Sequence, residues 1–144
     1  MIEAFEAKAT TAGPVVGSFL DRDSIGAFAS ERKTEKIVVN EKGDYVYVTE
    51  ITGDDRNWYE KQSMRNDNGR MVQNYDGAIA RMIVIGLTDE SGKKMYGRNE
   101  WNKVQSWRSS LQQRLFDAIC DISGISERAR ASFLSELETT DSDD

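Results

Sequence analysis

The segment Met82-Ile83-Val84-Ile85-Gly86-Leu87-Thr88-Asp89-Glu90-Ser91-Gly92 contains the longest uninterrupted apolar run of the chain, followed by residues that favour a turn. Short apolar runs that end at Asp, Ser and Gly are typical of strands entering a tight turn. The chain then continues through Lys93-Lys94-Met95-Tyr96. We therefore predict a β-hairpin over Met82–Tyr96. The residues before it, Asp76 to Met82, fit a helical turn as well as a strand, and periodicity does not distinguish the two.

A second hairpin is predicted nearer the start of the chain. Lys36-Ile37-Val38-Val39-Asn40 is rich in β-branched residues, Glu41-Lys42-Gly43-Asp44 is typical of a turn, and Tyr45-Val46-Tyr47-Val48-Thr49-Glu50-Ile51 returns as a strand. Neither face of the return strand is strongly polar, so both faces can be partly covered. Packing across the strands explains Tyr45 and Tyr47 better than a binding role does.

A helix is predicted directly after this hairpin. Thr52-Gly53-Asp54-Asp55 resembles a capping box, in which the Thr side chain and the acidic residue three positions later satisfy free backbone N–H groups. The helix carries Trp58 and Tyr59 inward and runs to about Met64. The polar segment Arg65–Arg70 that follows is predicted to be a loop.

The strongest helical signal is a long amphipathic helix from about Glu100 to Asp121. Apolar residues recur there at steps of three and four, which places them on one face that we assign to the core. They are Trp101, Val104, Trp107, Leu111, Leu115, Ala118, Ile119 and Ile122. The helix ends at Ser123-Gly124, and Ser126 can cap a short last helix. That helix runs through Ala129, Phe133 and Leu137.

These elements predict an α+β fold with three regions. The fold is a small, mostly antiparallel sheet of two hairpins, packed against the C-terminal long amphipathic helix and the short last helix. Residues 1–34, which include the single proline, Pro14, form an N-terminal arm that is either flexible or docked. Residues 35–137 form a single α+β domain. Residues 138–144 form an acidic tail that we expect to be disordered.

The charge of the chain is unevenly distributed. Its formal net charge is −6, and Glu136–Asp144 contributes five acidic residues without a basic one. Lys93–Arg114 carries six basic residues, opposed only by Glu100. These basic residues occupy different angular positions on the predicted helix, and no base-readout or stacking motif accompanies them. A solvated helix face or a site for an acidic protein segment is therefore favoured over a nucleic-acid surface.

The side chains needed for catalysis are scarce. The sequence has no histidine, which removes the usual general base near neutral pH and the commonest metal ligand. Cys120 lies on an apolar helix, as a buried thiol would, and Asp54-Asp55 and Asp89-Glu90 are explained by a helix start and a turn. No glycine-rich loop has phosphate-binding spacing. We expect neither an enzyme nor a cofactor or metal site.

The location of the protein is also predicted. One cysteine cannot form an intramolecular disulfide, no secretory leader opens the sequence, and no apolar stretch approaches the roughly 20 residues needed to cross a bilayer. We expect a soluble protein of the cytoplasm.

The order of these elements resembles a known family. Three segments carry the resemblance: Val46–Arg56, a strand followed by a polar helix; Ala78–Tyr96, with the apolar run and the Asp-Glu-Ser-Gly turn; and Leu115–Ile125, an amphipathic helix. Over Val38 to about Ser126 the chain is similar to the tail assembly chaperones of long, flexible-tailed bacteriophages, the group that includes the lambda-type G protein. The segment before Lys36 is longer than the family pattern.

The resemblance implies a non-catalytic assembly factor in the cytoplasm of the host cell. Such a chaperone binds the tape-measure protein, keeps its apolar helices soluble and helps recruit tail-tube subunits before it leaves the particle. Self-association into a homo-oligomer stays open. The main alternative is a virion structural subunit, such as a head-completion or tail-terminator protein, and a weaker one is a nucleic-acid-binding regulator.

Binding of an amphipathic target helix requires exposed apolar residues whose burial the core does not need. Six residues in or beside such segments are the predicted partner contacts. They are Val15, Val16, Phe19, Trp58, Met64 and Met71.

Overall fold

The computed structural model describes residues 16–134. Contacts divide the chain into two units, Met1–Glu31 and Arg32–Asp144. The predicted regions 1–34, 35–137 and 138–144 stay predictions, and the acidic tail among them lies outside the described residues.

The described part of the first unit contains one helix, α1 (Arg22–Ser30). Asp21 caps its N-terminus, because the carboxylate accepts a hydrogen bond from the backbone N–H of Ser24 at 3.0 Å. No residue of α1 is buried. Its apolar side chains Ile25 and Phe28 are exposed.

The second unit is an α+β structure, as predicted, with two small antiparallel sheets, five α-helices and a 3₁₀ turn (Arg98–Glu100) among its described residues. One sheet has the order β1-β2-β5, and the other is the hairpin β3-β4. The elements in chain order are β1 (Thr34–Val38), β2 (Tyr45–Thr49), α2 (Gly53–Gln62), β3 (Met64–Asp67), β4 (Arg70–Gln73), α3 (Ala78–Gly86), β5 (Leu87–Thr88), α4 (Trp101–Gln105), α5 (Ser109–Ile122) and α6 (Glu127–Phe133).

The upstream hairpin is confirmed. Strands β1 and β2 pair antiparallel, with Lys36 opposite Tyr47. In the connecting turn the side chain of Asn40 both donates to the Asp44 carboxylate at 2.8 Å and accepts from its backbone N–H at 3.1 Å. Gly43 takes a φ of 89°, which favours glycine.

The prediction of a strand was wrong for Met82–Gly86, because these residues form most of helix α3, and it holds only for Leu87. Every residue of α3 except Ile79 is buried, so no polar face was present to reveal the helical period. The strand β5 that follows has only two residues, which pair with Tyr47 and Val48 of β2. The polar half of the predicted hairpin is correct: Asp89 accepts hydrogen bonds from the backbone N–H groups of Ser91 and Lys93.

The core of the second unit is built around α3. Met82, Ile83 and Val84 are fully buried, and α3 contacts α2, α4 and α5. Gly86 allows a close approach between α3 and α5. A Cβ at this position would lie within 2.7 Å of three side-chain atoms of Ile119 on α5.

The long helix predicted from Glu100 to Asp121 is divided into α4 and α5. The apolar stripe is nevertheless buried or half-buried, as predicted. The break at Ser106–Arg108 frees backbone carbonyl groups, and the Gln112 side-chain amide donates to three of them, those of Val104, Gln105 and Trp107, at 2.8 to 3.0 Å. Serine competes for backbone hydrogen bonds near such positions, which favours the break.

The capping box that opens α2 is confirmed, and Asp55 has a second role. The Thr52 hydroxyl accepts from the Asp55 N–H at 3.0 Å, and the Asp55 carboxylate accepts from the Thr52 N–H at 3.4 Å. The same carboxylate, only 3% exposed, also binds Lys94 Nζ at 2.8 Å and the Arg98 guanidinium at 2.9 Å. One buried carboxylate thus links the start of α2 to the segment that precedes α4.

The predicted loop at Arg65–Arg70 was wrong, because it is part of the hairpin β3-β4. Asn68 and Gly69 both take positive φ values, 56° and 83°, as two-residue hairpin turns require. The last helix is confirmed as α6, where the Ser126 hydroxyl accepts from the Ala129 N–H. Leu137, predicted to extend it, lies outside the described residues.

Replacing Gly86 by Ala should destabilise the protein by about 1–3 kcal/mol, because the new methyl group collides with Ile119 in a filled core. Chemical denaturation followed by circular dichroism measures the change. Gly53→Ala is the matched control, since no atom lies within 4 Å of a Cβ at that position. A Gly86→Ala variant as stable as Gly53→Ala would contradict the packing described above.

Replacing Asp55 by Asn should destabilise the protein by about 1–3 kcal/mol at neutral pH. This loss of stability is smaller than the loss expected for a fully buried ion pair, because Lys94 and Arg98 are about one-third exposed. Burial alone would raise the pKa of Asp55, but hydrogen bonds from Lys94 and Arg98 hold that pKa below its ordinary value. The carboxylate therefore adds stability above its unfolded-state pKa, near 4, and this contribution is lost as pH falls through the lower folded-state pKa.

Unfolding curves at several pH values check this expectation. The stability difference between wild type and Asp55→Asn should be largest near pH 7 and shrink below about pH 4. Asp54→Asn is the control, because Asp54 shares Arg98 but is mostly exposed. A difference independent of pH would show that the Asp55 charge is not what stabilises the structure.

Candidate partner-binding site

The predicted partner contacts fall in different parts of the molecule. Val15 lies outside the described residues. Val16 and Phe19 belong to the first unit and are each 91% exposed. Trp58 lies on α2, half-buried against the core, with the Arg98 guanidinium 5.5 Å from its ring centre. Trp58 therefore supports the packing of the second unit, and only part of its ring surface can meet a partner.

Met64 and Met71 are brought together on the hairpin β3-β4. Met64 is paired with Gln73, and Asn66 with Met71, so both methionines project from the same face of the hairpin. They are 38% and 62% exposed. Methionine side chains are flexible and polarizable, which suits contact with apolar surfaces of varied shape. This face, Met64 with Met71, is the methionine face.

The structure also contains an apolar groove that the sequence analysis did not predict. Its volume is about 370 Å³, and it lies between the sheet and the N-terminal half of α5. Six apolar side chains and one arginine line it: Val39, Val46, Leu87, Trp107, Leu111, Leu115 and Arg108. We call it the β2–α5 groove. In the sequence Leu111 and Leu115 were part of the core stripe, and no local signal distinguishes a groove wall from a core.

A smaller cavity of about 210 Å³ continues the groove and is more polar. Val39, Arg108 and Leu111 line both cavities, and Asn40, Ser110 and Arg114 complete the second. Arg108 and Arg114 therefore stand at one end of an apolar floor. Among residues 16–134, neither side chain has a hydrogen bond or an ion pair.

The remaining basic residues of Lys93–Arg114 have other partners or positions. Lys94 and Arg98 bind Asp55, and Lys103 binds Glu100 at 2.8 Å. Half of the six positive charges are thus neutralised within the fold. The positive charge left at the β2–α5 groove is local and suits a few carboxylates better than a long phosphate backbone.

Two reactive side chains of the second unit, Cys120 and Tyr59, are enclosed. Burial raises the pKa of the Cys120 thiol to about 12, so the thiolate that a nucleophile requires is scarce near neutral pH. Burial also raises the pKa of Tyr59, whose hydroxyl donates to the Ala78 carbonyl at 2.9 Å. No group of three or more acidic or cysteine side chains that could hold a metal ion occurs in the described part of the chain.

One buried cation lies inside the second unit. Arg81 on α3 is 2% exposed, donates to the Asn74 carbonyl at 3.1 Å and sits about 6 Å from the ring centres of Tyr59 and Trp101. Desolvation lowers its pKa. Its contacts hold α3 to neighbouring elements. Across residues 16–134, no helix has the length and apolar character to span a membrane.

Comparison by sequence and comparison by structure give different results. No model of a protein family matches the sequence, and no curated protein matches it at a significant level. Among solved structures, the tail assembly chaperone of bacteriophage HK97 matches with a TM-score of 0.50 and 15% sequence identity, covering 69% of this chain and 97% of that one. The resemblance predicted from the sequence is therefore confirmed at the level of the fold, which is similar to that of a phage tail assembly chaperone.

Proposed function

We propose that the protein acts in the assembly of a bacteriophage tail, as a chaperone that binds the tape-measure protein and keeps it soluble. The observation that carries this proposal is the likeness to the HK97 tail assembly chaperone over nearly the whole length of that protein. Fold alone does not determine function. The apolar surface of the second unit gives further support for a binding role.

That surface supports binding of apolar segments. The methionine face is exposed, and the β2–α5 groove presents the half-buried side chains of Trp107 and Leu111. Exposed apolar patches on a small domain are typical of protein-binding sites. A chaperone for long amphipathic helices needs such patches, because it must cover apolar surface until the helices reach their place in the particle.

We further propose that the protein is non-catalytic, acts in the host cytoplasm and helps recruit tail-tube subunits. The enclosed thiol of Cys120 and the structural role of Asp55 support a non-catalytic role. Charged side chains around the apolar patches support the role in recruiting tail-tube subunits, because they limit non-specific aggregation of the complex before the next subunit binds. Self-association is compatible with this role.

Co-expression with the tape-measure protein encoded beside it tests the proposal. The tape-measure protein should be insoluble alone and should co-purify with this chain in soluble form. The combined variant Phe19→Asp/Met71→Asp should reduce the soluble complex severalfold, because a charge at each site opposes burial against an apolar helix. Pull-down yield and the soluble fraction are the measurements.

Arg128→Asp is the control, because Arg128 is exposed on α6 and belongs neither to the predicted contacts nor to the lining of the β2–α5 groove. No complex with the wild-type chain would overturn the chaperone proposal. Detection of the chain in purified virions by mass spectrometry would instead favour the alternative, a structural subunit. A complex that survives Phe19→Asp/Met71→Asp would overturn only the assignment of these contacts.

A further inference from the structure

The β2–α5 groove has the size and lining of a helix-binding site. Leu111 and Leu115 lie one turn apart on α5, and Trp107, in the break just before α5, extends the same wall. Val46 and Leu87 form the opposite side. An occupant that fills this space needs apolar side chains on successive turns, as an amphipathic helix provides.

The charge at the groove restricts the occupant further. Arg108 and Arg114 have no partner among residues 16–134, and they are separated by six positions, about 9 Å along the helix axis. Guanidinium groups bind carboxylates strongly and with defined geometry. A segment with carboxylates one to two turns apart, beside its apolar anchors, complements this end of the groove.

We propose that the β2–α5 groove binds an acidic amphipathic helix of the tape-measure protein, with its apolar anchors against the half-buried Trp107 and Leu111 and its carboxylates on Arg108 and Arg114. This assignment rests on the proposed function and adds the surface and the chemistry of the bound segment. The assignment predicts that the groove binds those segments of a long helical partner in which apolar turns are flanked by Asp or Glu.

The acidic segment of this chain itself, residues 135–144, is a less suitable occupant. It carries the complementary charge, but Leu137 is its single apolar residue. One leucine cannot cover a groove lined by six apolar side chains. The partner helix offers an anchor at each turn and therefore buries more of the floor.

Overlapping 20-residue peptides that cover the tape-measure protein test the proposal, with binding to the full chain followed by fluorescence anisotropy. The peptides that bind should combine apolar residues at helical spacing with nearby acidic residues. Arg108→Glu/Arg114→Glu should weaken them by about tenfold or more, since two attractive contacts become repulsive. Both arginines are exposed, so the fold should persist, which thermal unfolding verifies.

A matched control and a charge reversal sharpen the test. Arg128→Glu, at an exposed arginine on α6, should leave the affinity unchanged. Replacing the acidic residues of a bound peptide by Lys should restore affinity for Arg108→Glu/Arg114→Glu and weaken it for the wild type. Equal binding by wild type and double variant, or an equal loss in Arg128→Glu, would overturn the proposal.

Other occupants give distinct results. Preferential binding of a peptide of residues 135–144 would show that the groove holds the chain's own acidic segment. Self-association in analytical ultracentrifugation that is lost in Arg108→Glu/Arg114→Glu, without any change in peptide binding, would show an interface between copies. Either result overturns the proposal.

Co-purification with the intact tape-measure protein separates this proposal from the one on which it rests. If the wild type fails to bind, both are overturned. If the wild type and Arg108→Glu/Arg114→Glu bind equally well, the chaperone role stands and the groove assignment fails. If only the double variant loses binding, both are supported.

Discussion

The burial of α3 is the constraint on which the rest of the second unit depends. This helix is apolar on nearly all sides, so it is stable only if other elements cover it completely. Helices α2, α4 and α5 meet that need. Gly86 fixes the contact with α5, because the absence of a side chain lets Ile119 lie where a Cβ would otherwise stand. The hydrophobic effect thus determines the arrangement of the helices, and local capping determines only where each one begins.

A buried carboxylate adds an electrostatic link to this frame. Asp55 ends the first turn of α2 and also binds Lys94 and Arg98, so the segment that contains the bridged residue Lys94 and the 3₁₀ turn Arg98–Glu100 is fixed to a helix terminus. The carboxylate is thereby paired, as a buried charge must be. The same pairing removes two positive charges from the surface. Arg108 and Arg114 have no such partner within the described residues, which is why positive charge persists at the β2–α5 groove and not along the whole basic segment.

Features with local causes could be predicted from the sequence, and features with tertiary causes could not. The capping box at Thr52, the turn before Tyr45 and the cap at Ser126 depend on neighbouring residues, and all three are confirmed. Helix α3 was predicted as a strand because complete burial removes the polar face from which the period is recognised. The hairpin at Asn68-Gly69 carried a recognisable signal, but its polar strands obscured it.

The groove could not be predicted because two irregular features create it. Strand β5 stops at Thr88, where the Asp89 turn begins, so the sheet has only two strands beside Val46. The helix breaks at Ser106–Arg108, which places Trp107 at the groove wall instead of within a continuous helix. From the sequence alone, a leucine that packs against a covering strand cannot be distinguished from a leucine in the wall of an open groove. What distinguishes them is the absence of a covering element, and that absence is a property of the assembled fold.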